Sequence, residues 1–90
     1  MPELVLRVNV EDFATWKQAH DRFTDLRRTY GMTDLGVYRD AADAHRVVVM
    51  LACESLEKAL PYFSSKELRE ASAQAGVRGP REGWVAERRW

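Results

Sequence analysis

Ninety residues, 46% hydrophobic and 31% charged, with 14 basic side chains against 14 acidic ones, describe a single globular domain spanning residues 1–90. The chain therefore has no global field to draw in nucleic acid or an anionic membrane, and neither is an expected partner. No apolar run approaches the ~20 residues of a bilayer span. The start "MPELVLRVNV" lacks the basic, apolar and small-residue regions of a signal peptide, so the expected location is cytoplasmic.

In chain order, "ELVLRVNV" alternates Leu4, Leu6, Val8 and Val10 with Val5, Arg7 and Asn9, the period of a strand. Asp12 is placed to cap a helix, because its carboxylate can accept from free amides of the first turn. That helix is expected to run to about Tyr30 and to stop at Gly31, with Arg27 and Arg28 near the negative end of its dipole. "TDLGVYR" forms a second strand, and "DAADA" turns the chain into "HRVVVMLAC", a third strand apolar at residues 47–53 and hence central in its sheet. Cys53, the only cysteine, excludes an internal disulfide and reads as a small buried hydrophobe.

Ser55 can cap a further helix with Leu56, Ala59, Leu60 and Phe63 facing inward and a kink or break expected at Pro61. Ser65 caps a fresh helix, "KELREASAQAG", which Gly76 closes. "GVRGPREG" reads as a loop and "WVAERRW" as the last strand.

The order strand, helix, strand, strand, helix, strand defines an α+β class. It packs as a ferredoxin-like βαββαβ domain, a four-stranded antiparallel sheet with its helices on one face. Such a two-layer arrangement leaves the other face bare. A second copy of the chain is the economical cover, which makes a homodimer the expected partner and a dimeric α/β barrel the expected assembly.

The stretches "VEDFATWKQAHD", "VYRDAADAHRVVVML" and "SLEKALPYFSSKELREASAQAGVRGP", in that order, resemble the dimeric α+β barrel superfamily. The likeness is to the small polyketide-cyclase-like and antibiotic-biosynthesis-monooxygenase-like proteins. It covers nearly the whole chain, through "VxDFxxWK" at the approach to the first helix and "SxELREAxxxAGVxGP" in the second half. The resemblance implies a pocket between sheet and helices, with neither metal nor flavin required. Some members oxygenate electron-rich aromatics with molecular oxygen, others direct polyketide cyclisation, and a separate branch binds haem. Relatives often carry a histidine near the end of the first strand, where this chain has Asn9. Asn9 can hydrogen-bond a substrate but cannot act as an ordinary acid or base.

His20 is the leading catalytic candidate. It lies in a row with Phe13, Trp16 and Phe23, spaced three, four and three apart, where burial disfavours the imidazolium and leaves a neutral base. The alternative is a core histidine satisfied by local hydrogen bonds. Asn9 is the second catalytic candidate, as holder of an enolate or phenolate oxygen. Trp16, Phe13, Phe23 and Tyr30 can wall a planar ligand or simply pack. Arg7 and Arg39, on strands, can bind developing negative charge or make surface ion pairs. Tyr38 and Tyr62 can donate to a substrate oxygen. Arg78, Arg81, Arg88 and Arg89 read as a solvated surface or subunit contact.

His20, His45 and Cys53 match no spaced zinc pattern, and no glycine-rich phosphate loop precedes a helix, so neither metal nor cofactor is expected. The leading expectation is a cofactor-independent enzyme of secondary metabolism, acting by acid/base chemistry of the cyclase type on a small aromatic or polyketide-like substrate. A cofactor-free monooxygenase and a non-catalytic binding or accessory barrel are the alternatives.

Overall fold

Period two in the first strand sends Leu4, Leu6, Val8 and Val10 to one side of a sheet, and that side is the one the helices cover. The computed structural model describes residues 2–89. Its elements are β1 (Glu3–Val10), α1 (Phe13–Arg22), α2 (Thr24–Thr29), β2 (Met32–Arg39), β3 (Arg46–Cys53), α3 (Leu56–Phe63), α4 (Lys66–Gln74) and β4 (Val77–Ala86). The four strands lie in the order β2-β3-β1-β4, all neighbours antiparallel, which is the ferredoxin-like topology expected.

The central strand β3 alternates under this cover. Val47, Val49, Leu51 and Cys53 are buried with Leu4, Val8, Val10, Met32, Trp16, Ala59 and Tyr62 in one core. Val48, Met50 and Ala52 point the other way and are only half-buried. Opposite them on that bare face, Tyr38 pairs with Val48 and Trp84 with Val5, and these two aromatics are 56% and 52% exposed. An apolar stripe therefore lies open along the sheet.

The three expected caps are present: Asp12 accepts from the amide of Thr15, Ser55 from that of Lys58 and Ser65 from that of Leu68. Four details differ from the sequence reading. The first helix is broken at Phe23, whose backbone leaves the helical region at φ −98°, ψ 9°. There the Thr24 hydroxyl donates to the Asp21 carbonyl, and such local side-chain bonding competes with the helical ladder. The helix with Pro61 runs through it to Phe63, and the break falls at Ser64 and Ser65 instead. Leu60 is exposed rather than inward, because the buried face of α3 runs through Ala59 and Tyr62.

The fourth difference concerns the expected "GVRGPREG" loop, most of which is strand. β4 starts at Val77 and ends at Ala86, and Trp90, at the end of the expected strand, lies outside the described residues. Asn9 pairs with Arg78 and Arg7 with Glu82, so only Val8 of β1 faces the three residues Gly79, Pro80 and Arg81. That is a bulge, which tolerates a proline unable to donate to the ladder and changes where the next side chain points.

Gly31 ends α2 with φ +75°, and a Cβ there would lie 2.6 Å from a carboxylate oxygen of Glu54. Gly31→Ala should cost roughly 1–2 kcal/mol, the penalty of a left-handed non-glycine residue. Urea denaturation checks this, and an unchanged midpoint would contradict the turn described.

Candidate functional site

The helix-covered side of the sheet is not solid. A half-open cavity of about 70 Å³ lies between β1, β3 and β4 below and the four helices above. Leu6, Val8, Val49 and Leu51 form its floor, while Trp16, His20, Phe23, Arg27, Tyr62 and Arg81 bring aromatic and polar groups to its walls. Trp16 and His20, one helical turn apart, stack with ring centroids 4.9 Å apart and 23° between planes.

Beneath His20 lies an ion pair. The Arg27 side chain is 3% exposed, and it donates from Nε to Oδ1 of Asp34 at 2.9 Å and from Nη2 to Oδ2 at 2.8 Å. This two-bond fork fits a guanidinium to a carboxylate and pairs a cation that would otherwise be buried alone. It also occupies both oxygens of Asp34. His20 Nε2 comes within 3.8 Å of Oδ1, too far for a hydrogen bond, and it is buried without a partner among the described residues.

Burial first, and the Arg27 charge second, push the His20 imidazole from its ordinary 6.5 down to about 4, against weaker upward pulls from Asp34 and Asp21. The ring is therefore neutral near pH 7, with an unoccupied nitrogen. Tyr62, packed against Tyr30 at 5.5 Å, has its hydroxyl pushed up by burial, while Arg27 beside it pulls the other way. Arg81 lies over the Phe63 ring, 5.7 Å from its centre, and donates to the Ser72 hydroxyl at 3.3 Å.

Of the residues expected to share a site, His20, Trp16, Phe23 and Tyr62 come together. Phe13 stands outside the cavity, 6.1 Å behind Trp16 and under the guanidinium of Arg39. Asn9, Arg7 and Tyr38 do not join them within one chain. They occupy the bare face of the sheet, where Arg7 pairs with Glu82 at 2.6 Å and Asn9 is exposed, because odd positions of β1 point away from the helices. Three participants were not anticipated: Arg27, Asp34 and Arg81. Arg27 continues the row Trp16, His20, Phe23 by four more residues, a visible spacing that its charge disguised. Arg81 reaches the cavity wall beyond the β4 bulge and is half-buried rather than fully solvated. Among the described residues, no three of His, Cys, Asp and Glu gather as a metal site.

No family model and no curated protein matches the chain. Solved structures do. A protein from Bordetella bronchiseptica named as an antibiotic biosynthesis monooxygenase superposes with TM-score 0.81 at 12% identity, covering 99% of this chain and 97% of its own. SnoaB, a cofactor-independent oxygenase from Streptomyces nogalater, gives 0.72 at 13% identity, with 99% and 93% covered. A Streptomyces coelicolor monooxygenase in complex with nanaomycin D gives 0.64 at 23% identity, with 99% and 88% covered. The chain thus shares the fold of these monooxygenase structures, the fold that the sequence resemblance implied.

The low His20 value makes a stability prediction. Unfolded, the ring takes up its proton near 6.5; folded, only near 4. The unfolded state binds more protons between these values, so this contribution to stability is complete above about pH 6.5 and is lost as pH falls toward 4. Melting temperature followed from pH 7 to 4 should fall less steeply in His20→Gln than in the parent. Identical slopes would show that the buried ring is not the titrating group.

Proposed function

We propose that this chain is a cofactor-independent enzyme that takes a proton from a hydroxyl or activated C–H of a small aromatic or polyketide-like molecule held between sheet and helices. The observation that carries the reading is His20: its ring lines a cavity whose walls are mainly apolar, it is neutral near pH 7, and its Nε2 is buried without a hydrogen-bond partner among the described residues. A core histidine kept for structure would have found a partner for that nitrogen.

The steps follow from the groups present. Trp16 and Phe23 flank the substrate ring, and Nε2 accepts its proton. The oxyanion or carbanion left behind stands beside the imidazolium and the Arg27 guanidinium, and this nearby negative charge raises the affinity of His20 for the proton it has taken. The Tyr62 hydroxyl, kept protonated by burial, can donate to the substrate oxygen. From that anion two routes diverge. In oxygenation the substrate supplies every electron to molecular oxygen, a ring methylene becoming a carbonyl with release of water. In ring closure the carbanion attacks a carbonyl of the same molecule and no oxygen is consumed. The two Streptomyces neighbours, an oxygenase and a monooxygenase by name, support the first route, and the cyclase route is the competing outcome of one experiment.

That experiment runs phenolic polycyclic substrates under air and under nitrogen, with nanaomycin D as a binding probe. Turnover should require oxygen, and His20→Gln should lower kcat by ~10²- to 10⁴-fold, the usual contribution of a general base. Because the free enzyme protonates His20 only near pH 4, kcat/KM should hold from neutrality down to about pH 5 before falling. Product formed equally under nitrogen assigns ring closure, a His20→Gln enzyme with full activity removes His20 as the base, and a parent chain that binds these molecules without turning them over is a binding protein.

The bare sheet face supports a second copy of the chain as partner. Trp84, 52% exposed beside Val5, is its largest apolar group. Trp84→Glu should convert a sedimenting dimer to monomer, and a parent chain that sediments as a monomer at high concentration would exclude the assembly.

A further inference from the structure

Arg81, over the Phe63 ring, is a cationic wall of the cavity that meets no carboxylate among the described residues. Arg27 is neutralised by Asp34, and His20 is uncharged near pH 7. The Arg81 guanidinium is partly buried, yet among the described residues no carboxylate lies within ion-pair distance of it. Its single described hydrogen bond goes to the neutral Ser72 hydroxyl at the long distance of 3.3 Å. A guanidinium offers five N–H donors, so most of its capacity is unspent. Burial lowers its proton affinity, and the only charge effect opposing this comes from the Tyr62 phenol. The cavity therefore carries one uncompensated positive charge in mainly apolar walls, a setting that concentrates anions.

The backbone is built to put it there. Gly79, at φ +70°, and Pro80 make the bulge that brings the following side chain into the cavity, in an edge strand where a regular ladder would alternate. Arg81 also stands between two spaces. The inner cavity of about 70 Å³ and a more polar outer one of about 250 Å³ share Arg81, Ser72, Phe63, Leu68 and Val77 as a common wall. The inner space alone is too small for a fused-ring molecule. Joined, the two reach the low end of the ~300–1,000 Å³ of sites for ligands of drug size.

We propose that the substrate is an aromatic acid: its ring system lies in the inner cavity against Trp16, and a carboxylate on it displaces Ser72 from Arg81 and takes the guanidinium fork, opening the inner cavity to the outer one. Arg81 is then the residue that sets specificity for anionic over neutral aromatics. This rests on reading the cavity as the substrate site, but its test is a binding measurement that needs no turnover.

The probes are 6-hydroxy-2-naphthoate and its neutral isostere 6-hydroxy-2-naphthamide, titrated calorimetrically at pH 7 into the full chain. The naphthoate should bind ~10- to 100-fold more tightly than the amide, the range of a charge-assisted hydrogen-bonded pair over a neutral one. Arg81→Gln should abolish that ratio, and Arg81→Lys should keep part of it. Retention of parental circular dichroism and melting shows that the Arg81 variants are folded. Equal affinities in the parent, a ratio that survives Arg81→Gln, or no detectable naphthoate binding overturns the proposal. An intact ratio in a protein that turns nothing over would sink the catalytic reading while leaving Arg81 as an anion receptor.

Discussion

The forked ion pair between Arg27 and Asp34 is the constraint on which the site depends. Arg27 sits on a short helix facing the sheet, nearly sealed from solvent, and such a cation is tolerable only with its charge and donors met. Asp34 meets them, tying α2 to β2. Held in that fork, Asp34 stays 3.8 Å from His20 Nε2, beyond hydrogen-bond distance, and its upward pull on the imidazole is weaker than burial and the Arg27 charge. His20 is neutral first because its ring is buried and second because the Arg27 charge stands beside it, and its Nε2 is left without a partner among the described residues.

The architecture makes that vacancy useful. A sheet covered on one side needs the helices to span it, and four short helices with breaks at Phe23 and at Ser64 and Ser65 do not fill the space beneath them. The gap is lined by aliphatic strand residues on one side and by Trp16, Phe23 and Tyr62 on the other. Water is a poor competitor in such a place, and fixed charges act there with more force than at the surface. The bulge of β4 then adds a second guanidinium, so that one strand irregularity decides both the charge and the shape of the cavity mouth.

Much of this was legible in the chain because its causes are local. Strand alternation, the capping oxygens of Asp12, Ser55 and Ser65, and the glycines that end helices act over a few residues, and each appears where the pattern places it. The row from Trp16 to Phe23 likewise named half of the cavity wall. The sidedness of Arg7 and Asn9 was also readable, since they alternate with the four apolar residues that must face the helices. The family likeness drew Asn9 toward the pocket against that simpler signal. What lay beyond reach is tertiary. Nothing near Arg27 in sequence announces that a residue on the next strand will hold it, and glycine followed by proline before Arg81 reads as a loop until β1 is seen to pair on both sides of it. Leu60 turns outward for a related reason: the phase of a two-turn helix is set by what it packs on.

The most direct test is the titration of the His20 ring itself, followed by nitrogen-15 or carbon-13 NMR in the folded chain. Neutrality throughout the range around pH 6 to 7, with a midpoint near 4, is the result that burial of the ring and the adjacent Arg27 charge dictate. A midpoint at or above 6.5 would mean that neither burial nor the Arg27 charge keeps the ring neutral, and the vacant base at the centre of this account would not exist.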